Sequence, residues 1–273
     1  MSSTPQLPPV AKIEQKTVID LLARGFRIDE RKLADYRPIT IETGVVQKAN
    51  GSALVHLGKT KVMTGIKVEL GQPFPDTPNQ GVLTVNAELV PMASPSFEPG
   101  PPSENAIELA RVIDRGLRES KAIDLQKLCV DPGKKVIVVF VDVYVLDHDG
   151  NLIYASAISA LSALLTSKMK QYELSEEGVK VKDELAPLPI QSEPVPVTAA
   201  KIGESMILDP CLEEELVVSA RLTVTSDQNG NVCAMQKGGM GVLTDQEIRQ
   251  AVKVAIEKGR EIREQVKGAI SRQ

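Results

Sequence analysis

Val136-Ile137-Val138-Val139-Phe140-Val141-Asp142-Val143-Tyr144-Val145-Leu146 is a nearly unbroken run of β-branched and apolar residues. Such a run suits a strand covered on both faces, which places it at the centre of a sheet. Asp147 to Asn151 ends it in a turn, and the segment to about Lys170 predicts a helix. Ala155, Ala157, Ser159, Ala160 and Ala163 are small enough to let that helix pack closely.

Upstream, Pro38 to Val90 is β in pattern. Ile39, Ile41, Val45 and Val46 lead into Asn50-Gly51, read as a hairpin turn, followed by Ala53, Leu54, Val55 and Leu57. Gly58-Lys59-Thr60 turns the chain into Val62 to Leu70, and Val82 to Val90 follows, which together predict an antiparallel meander. Before it, Ile13, Val18, Leu21 and Leu22 predict a short helix ended by Gly25. Five prolines between 91 and 102 break the sheet pattern before Ser103 to Ser120, a helix with the apolar stripe Ala106, Leu109, Ala110, Ile113 and Leu117.

Downstream, Pro187, Pro189, Pro194 and Pro196 mark a junction. Val195 to Ile202, Met206 to Leu208, Val217 to Thr225 and Val232 to Gln236 are strand candidates. Thr244 with Glu247 forms a capping box that opens a helix through about Lys267. The whole reads as an α+β protein, with mixed β-sheets, packed helices and two β-rich halves.

Composition narrows the function. A formal charge of −4 excludes a generally basic nucleic-acid coat, so any such contact must be focal. With no Trp, 4 Phe and 4 Tyr, the chain lacks the rings of a solitary stacking platform. Cys129, Cys211 and Cys233 form no C-x-x-C pair, which predicts neither a disulfide framework nor a zinc site and suits a cytoplasmic protein. No run approaches the roughly 18 apolar residues of a membrane span. A phosphate-loop reading of Gly58-Lys59-Thr60 fails because Ala53 stands where the motif needs Gly. Asp147, Asp149 and Gly150 open like a calcium loop, but Ile158 falls where an acid should close it. His56 and His148 have no ligand or nucleophile at a useful spacing, so no metal or cofactor is expected.

The informative cluster is Arg111, Arg115 and Arg118, at i, i+4 and i+7 on one helix and within about 60° of one another at 3.6 residues per turn. The stripe lies opposite the apolar face. It reads either as a solvated face balanced by Glu108, Asp114 and Glu119, or as a contact for phosphodiesters, which suit the guanidinium fork.

From about Gly25 to Lys267 the chain resembles the RNase PH family, most closely the non-catalytic RNase PH-like subunit of the archaeal exosome. The resemblance is carried by Gly25-Phe26-Arg27-Ile28-Asp29-Glu30-Arg31-Lys32, Gly51-Ser52-Ala53-Leu54-Val55, and Phe97-Glu98-Pro99-Gly100-Pro101-Pro102 running into Glu104-Asn105-Ala106-Ile107-Glu108-Leu109-Ala110-Arg111. Asp142 to Asp147, Asp209-Pro210-Cys211-Leu212-Glu213-Glu214-Glu215 and Gln236-Lys237-Gly238-Gly239 extend it. One departure is Glu30, where many members carry Gly, implying an altered turn. The resemblance implies an RNase PH-like fold with an N-terminal arm and helix (1–30), a first domain (31–186) and a second (187–273).

It also implies phosphorolytic 3′-to-5′ degradation of RNA, in which orthophosphate attacks the terminal phosphodiester. Catalytic relatives hold the phosphate with Asp-Gly-Gly-Thr/Ser-Arg beside a helix N-terminus. Here the matching residues are Asp149-Gly150-Asn151-Leu152-Ile153, without hydroxyl or cation. Arg221 stands where catalytic relatives carry an aspartate, and a guanidinium neither binds Mg²⁺ nor acts as a general acid near neutral pH. The resemblance therefore implies no catalytic residue here, and a place in a heterohexameric trimer of dimers with a catalytic RNase PH-like subunit. RNA-binding cap subunits and single-stranded RNA are the other implied partners, with Arg111 and Arg115, and more weakly Arg118, on the RNA path. Two alternatives stand beside this: a self-sufficient phosphorolytic enzyme using Asp142 or Asp227, and an RNA-binding protein without a ring.

Overall fold

The computed structural model describes residues 12–175 and 178–272. Helix α1 (Lys12–Ala23) stops where Gly25 takes φ +82°, which lets the N–H groups of Gly25 and Phe26 return to the carbonyls of Leu22 and Leu21. Val18 and Leu22 are buried in it, while Ile13 lies outside the residues whose side chains are described. Glu30 takes φ +64°, so the left-handed turn that a Gly would favour is kept, with a side chain in it.

Strands β1 (Ile39–Thr43), β2 (Gly51–Leu57) and β3 (Thr60–Gly71) form the antiparallel meander, with Gly58 at φ +55° in the tight turn. Asn50-Gly51 is not that hairpin's turn. The chain reverses over 44–50, leaving Val45 and Val46 exposed, and Gly51 is already in β2. A Cβ there would lie 2.1 Å from Ser167 Oγ, so Gly51 serves close packing.

The meander ends at β3. Strand β6 (Lys135–Asp147) inserts between β3 and β4 (Val82–Leu89), antiparallel to the first and parallel to the second, giving the order β1-β2-β3-β6-β4; β5 (Cys129–Asp131) also pairs with β6. The physical reason lies in the connection from β4 to β6, which contains helix α2 (Glu104–Glu119). A parallel return needs such a crossover. Only Val136 to Val139 of β6 are buried in succession. Beyond them Val141, Val143 and Val145 stay buried while Tyr144 is exposed, so coverage of both faces is limited to the strand's beginning, where Val82, Val136 and Val138 form a small separate cluster.

Helix α3 (Leu152–Leu165) lies between the sheets and ends before Lys170. From Lys168 the chain instead forms a hairpin, β7 (Lys168–Ser175) with β8 (Gly178–Pro187), because polar and apolar residues now alternate with period two. The second sheet has the order β10-β9-β11-β12, all antiparallel: β9 (Val195–Ile202), β10 (Ser205–Leu208), β11 (Ala220–Ser226) and β12 (Val232–Gly238). A short helix α4 (Leu212–Glu215) precedes β11. Helix α5 (Asp245–Ile270) opens with Thr244 Oγ1 accepting from the Glu247 N–H and Glu247 accepting from the Thr244 N–H. One core joins both sheets through α3 and α5, with Val55, Val141, Ile158, Leu222, Ala255 and Ile262 among its members. Among the described residues no helix is long and apolar enough to cross a membrane.

Candidate nucleic-acid interface

Ser103 caps α2 by accepting from the Ala106 N–H. The buried face then comprises Ala106, Leu109, Val112, Ile113, Gly116 and Leu117, leaving the arginine stripe on the outside. The three arginines are in different circumstances. Arg111 is exposed and has no hydrogen bond or ion pair among the described residues. Arg115 is half-buried against β12, and its Nη1 donates to Gln236 Oε1 at 2.9 Å. Arg118 is engaged: Nε and Nη2 donate to the Asp114 carboxylate at 3.1 and 2.6 Å, and Nη2 also to the Leu83 carbonyl at 3.0 Å. The hydrogen bond to Asp114 raises the Arg118 pKa against the effect of burial.

Between α2 and β12 lies an open cleft of about 290 Å³, lined by Glu104, Ile107, Glu108, Arg111, Val112, Arg115 and Gln236. Arg221, on β11, donates through Nη2 to both oxygens of Glu108, at 3.1 and 3.2 Å. It pairs in register with Gly238, where a Cβ would lie 2.5 Å from its Nε, so the missing side chain lets the guanidinium stem cross β12.

The residue that caps α3 is held by acidic side chains from the second half of the chain. Gly150 (φ +87°) and Asn151 (φ +52°) form a left-handed entry, and the Asn151 N–H donates to Glu215 Oε1 at 2.8 Å. Asn151 Nδ2 donates to Asp209 Oδ1 at 2.7 Å. Asp209 is fully buried and also accepts from Arg37 Nε and Nη2 at 3.0 and 2.8 Å and from Arg31 Nη1 at 2.9 Å. Burial alone would push its pKa up, but the Arg37 guanidinium, with Asn151, holds it below 3.8. Removal from water pushes the Glu215 carboxyl up, and the Asn151 N–H and the charges of Arg221 and Arg37 only partly oppose this. Nearby, Arg27 and Glu214 form a wholly buried ion pair. Sequence reasoning missed this cluster because Arg27 meets Glu214, and Arg31 and Arg37 meet Asp209, across more than 170 residues.

The alternative acids have structural partners. Asp142 accepts from Asn86 Nδ2 at 3.1 Å, and Asp227 accepts the N–H groups of Asn229 and Asn231 in a turn. His148 stacks on Phe97 at 5.3 Å, and His56 lies 4.0 Å from Glu42. Among the described residues no cluster of three His, Cys, Asp or Glu side chains could hold a metal ion.

The model of the 3′ exoribonuclease family, domain 1, matches residues 35–170, and that of domain 2 matches 192–258. The chain belongs to the RNase PH family. It is 53% identical to the exosome complex component Rrp42 of Thermococcus kodakarensis over 98% of this chain and 99% of that protein. Against Rrp42 of Pyrococcus horikoshii the identity is 55%, over 96% and 97%. Among solved structures, a chain of an Archaeoglobus fulgidus exosome with RNA bound to the active site superposes with a TM-score of 0.86 at 46% identity, covering 93% of this chain and 98% of that one.

Proposed function

We propose that this chain is a non-catalytic subunit of an archaeal exosome, assembled in a hexameric ring with a catalytic RNase PH-like subunit and guiding single-stranded RNA past it. The observation that carries this reading is the Glu215 carboxylate at the N-terminus of α3. In catalytic relatives orthophosphate is held beside this helix end; here a carboxylate of the same chain accepts the N–H group. Arg221 in place of an acid, tied to Glu108, supports the same conclusion.

The RNA-guiding role falls to Arg111 and Arg115, which line the cleft with guanidinium donors in reserve; Arg118, on the same helix face but tied to Asp114, takes a lesser part in it. A chain of charge −4 can do this because a few cations in a narrow path act locally. Cap subunits on the ring, a cytoplasmic location and a division into an arm (1–30), a first domain (31–186) and a second (187–273) belong to the same proposal.

The test is phosphorolysis of oligo(A) with orthophosphate and Mg²⁺. The isolated chain is expected to release no ADP, and adding the catalytic subunit should start release. ADP production by the isolated chain would establish the self-sufficient enzyme instead. Failure of the two proteins to co-migrate would favour a ring-free RNA binder.

A further inference from the structure

The cleft between α2 and β12 contains two carboxylates, Glu104 and Glu108, and two guanidinium groups, Arg111 and Arg115. By themselves these charges cancel, and a neutral cleft has no field with which to attract a polyanion. Glu108 is also placed three residues before Arg111 on the helix, at a spacing where an unoccupied carboxylate would draw that guanidinium into an internal pair. Arg221 changes both conditions. Its Nη2 reaches both Glu108 oxygens from β11, along a path cleared by the absent side chain of Gly238. Gln236 holds Arg115 through a neutral amide oxygen, which orients the guanidinium without neutralising it.

We infer that Arg221 is a positioning residue for RNA, which occupies Glu108 so that Arg111 and Arg115 remain available to phosphodiester groups. The inference rests on the reading that those two arginines meet RNA. The cation that stands in place of a catalytic acid thus acquires a task in the neighbouring cleft. Its ligand class is the single-stranded RNA backbone, reached indirectly through the charge balance of the site.

The experiment measures binding of fluorescent oligo(A) to the ring assembled with the catalytic subunit, in the absence of orthophosphate. Arg221→Ala is expected to weaken binding about two- to fivefold at low ionic strength, the range of a partly exposed ion pair, with the difference shrinking as salt is added. Adding Glu108→Gln to Arg221→Ala should recover most of that loss, and Glu108→Gln alone should bind more tightly than the wild type. A merely structural role would lower the melting temperature without rescue by Glu108→Gln. Wild-type affinity in Arg221→Ala, or a double variant no better than the single, overturns the inference. Where Arg221→Ala does not assemble, Glu108→Gln decides alone: tighter binding at low salt supports the inference, and equal or weaker binding overturns it. Arg111→Glu and Arg115→Glu separate the two levels. If they leave affinity unchanged, the RNA reading itself fails; if they weaken it while Arg221→Ala does not, only the role of Arg221 is lost.

Discussion

The backbone N–H of Asn151, the residue that caps α3, meets Glu215 Oε1 at 2.8 Å, so a carboxyl group of the protein itself already sits at this helix end. An external phosphate would have to displace a covalently tethered competitor. A ligand that binds only the folded state raises its melting temperature, so melts of the isolated chain with and without orthophosphate are expected to superpose. A phosphate-dependent rise would show that the position accepts an external anion.

Asp209 should dominate the acid limb of stability. Replacing it with Ala leaves the Arg37 guanidinium buried without its carboxylate, at a cost of about 3–5 kcal/mol in urea unfolding. The folded carboxyl titrates below 3.8, so between its two pKa values the unfolded chain binds more protons. This contribution is complete above 3.8 and is lost as the pH falls through the lower folded value. Glu215 acts with the opposite sign: its folded pKa is raised above 4.5, so stability declines as the pH climbs from 4.5 through the folded value. Urea midpoints across both windows should show the rise and then the decline, and Asp209→Asn should flatten the rise.

The arginine stripe should divide on substitution. Arg111→Glu is expected to change stability by no more than about 0.5 kcal/mol, because the side chain is exposed and unpaired, and to slow RNA degradation by the assembled complex. Arg118→Ala loses Asp114 and the Leu83 carbonyl, at about 0.5–1 kcal/mol, with a smaller effect on RNA. Equal losses of RNA turnover in the two variants would put Arg118 on the path as well.

Two left-handed positions predict opposite effects. Gly150→Ala would bring a Cβ to 2.6 Å from the Cys211 carbonyl carbon at φ +87°, and should destabilise the chain by more than about 2 kcal/mol. Glu30→Gly relieves a side chain at φ +64° and should raise the melting temperature, since the left-handed conformation costs a non-glycine residue roughly 1–2 kcal/mol. Thermal melts of both variants check the signs.

What the sequence disclosed was what short-range periodicity and capping encode. The Thr244–Glu247 box, the turn at Gly58 and the outward face of α2 all depend on residues within a few positions of one another. Pairing order is not local, which is why β4 was expected beside β3 and stands instead beside β6. The β7–β8 hairpin was hidden by the strong helical pattern just before it. The partnership of Arg221 with Glu108 spans 113 residues, and that of Arg37 with Asp209 spans 172, so no spacing rule could reveal either.

The same long span has a consequence for synthesis. Arg27, Arg31 and Arg37 leave the ribosome early, while Asp209 and Glu214 are still untranslated. The first sheet can therefore pair on the nascent polypeptide, with Arg37 reaching Asp149 and Gly150, well before Arg27 meets Glu214 or Arg31 meets Asp209. Closure of that clasp is a late event, completed only when the second sheet emerges, and it commits the two ends of translation to a single finished body.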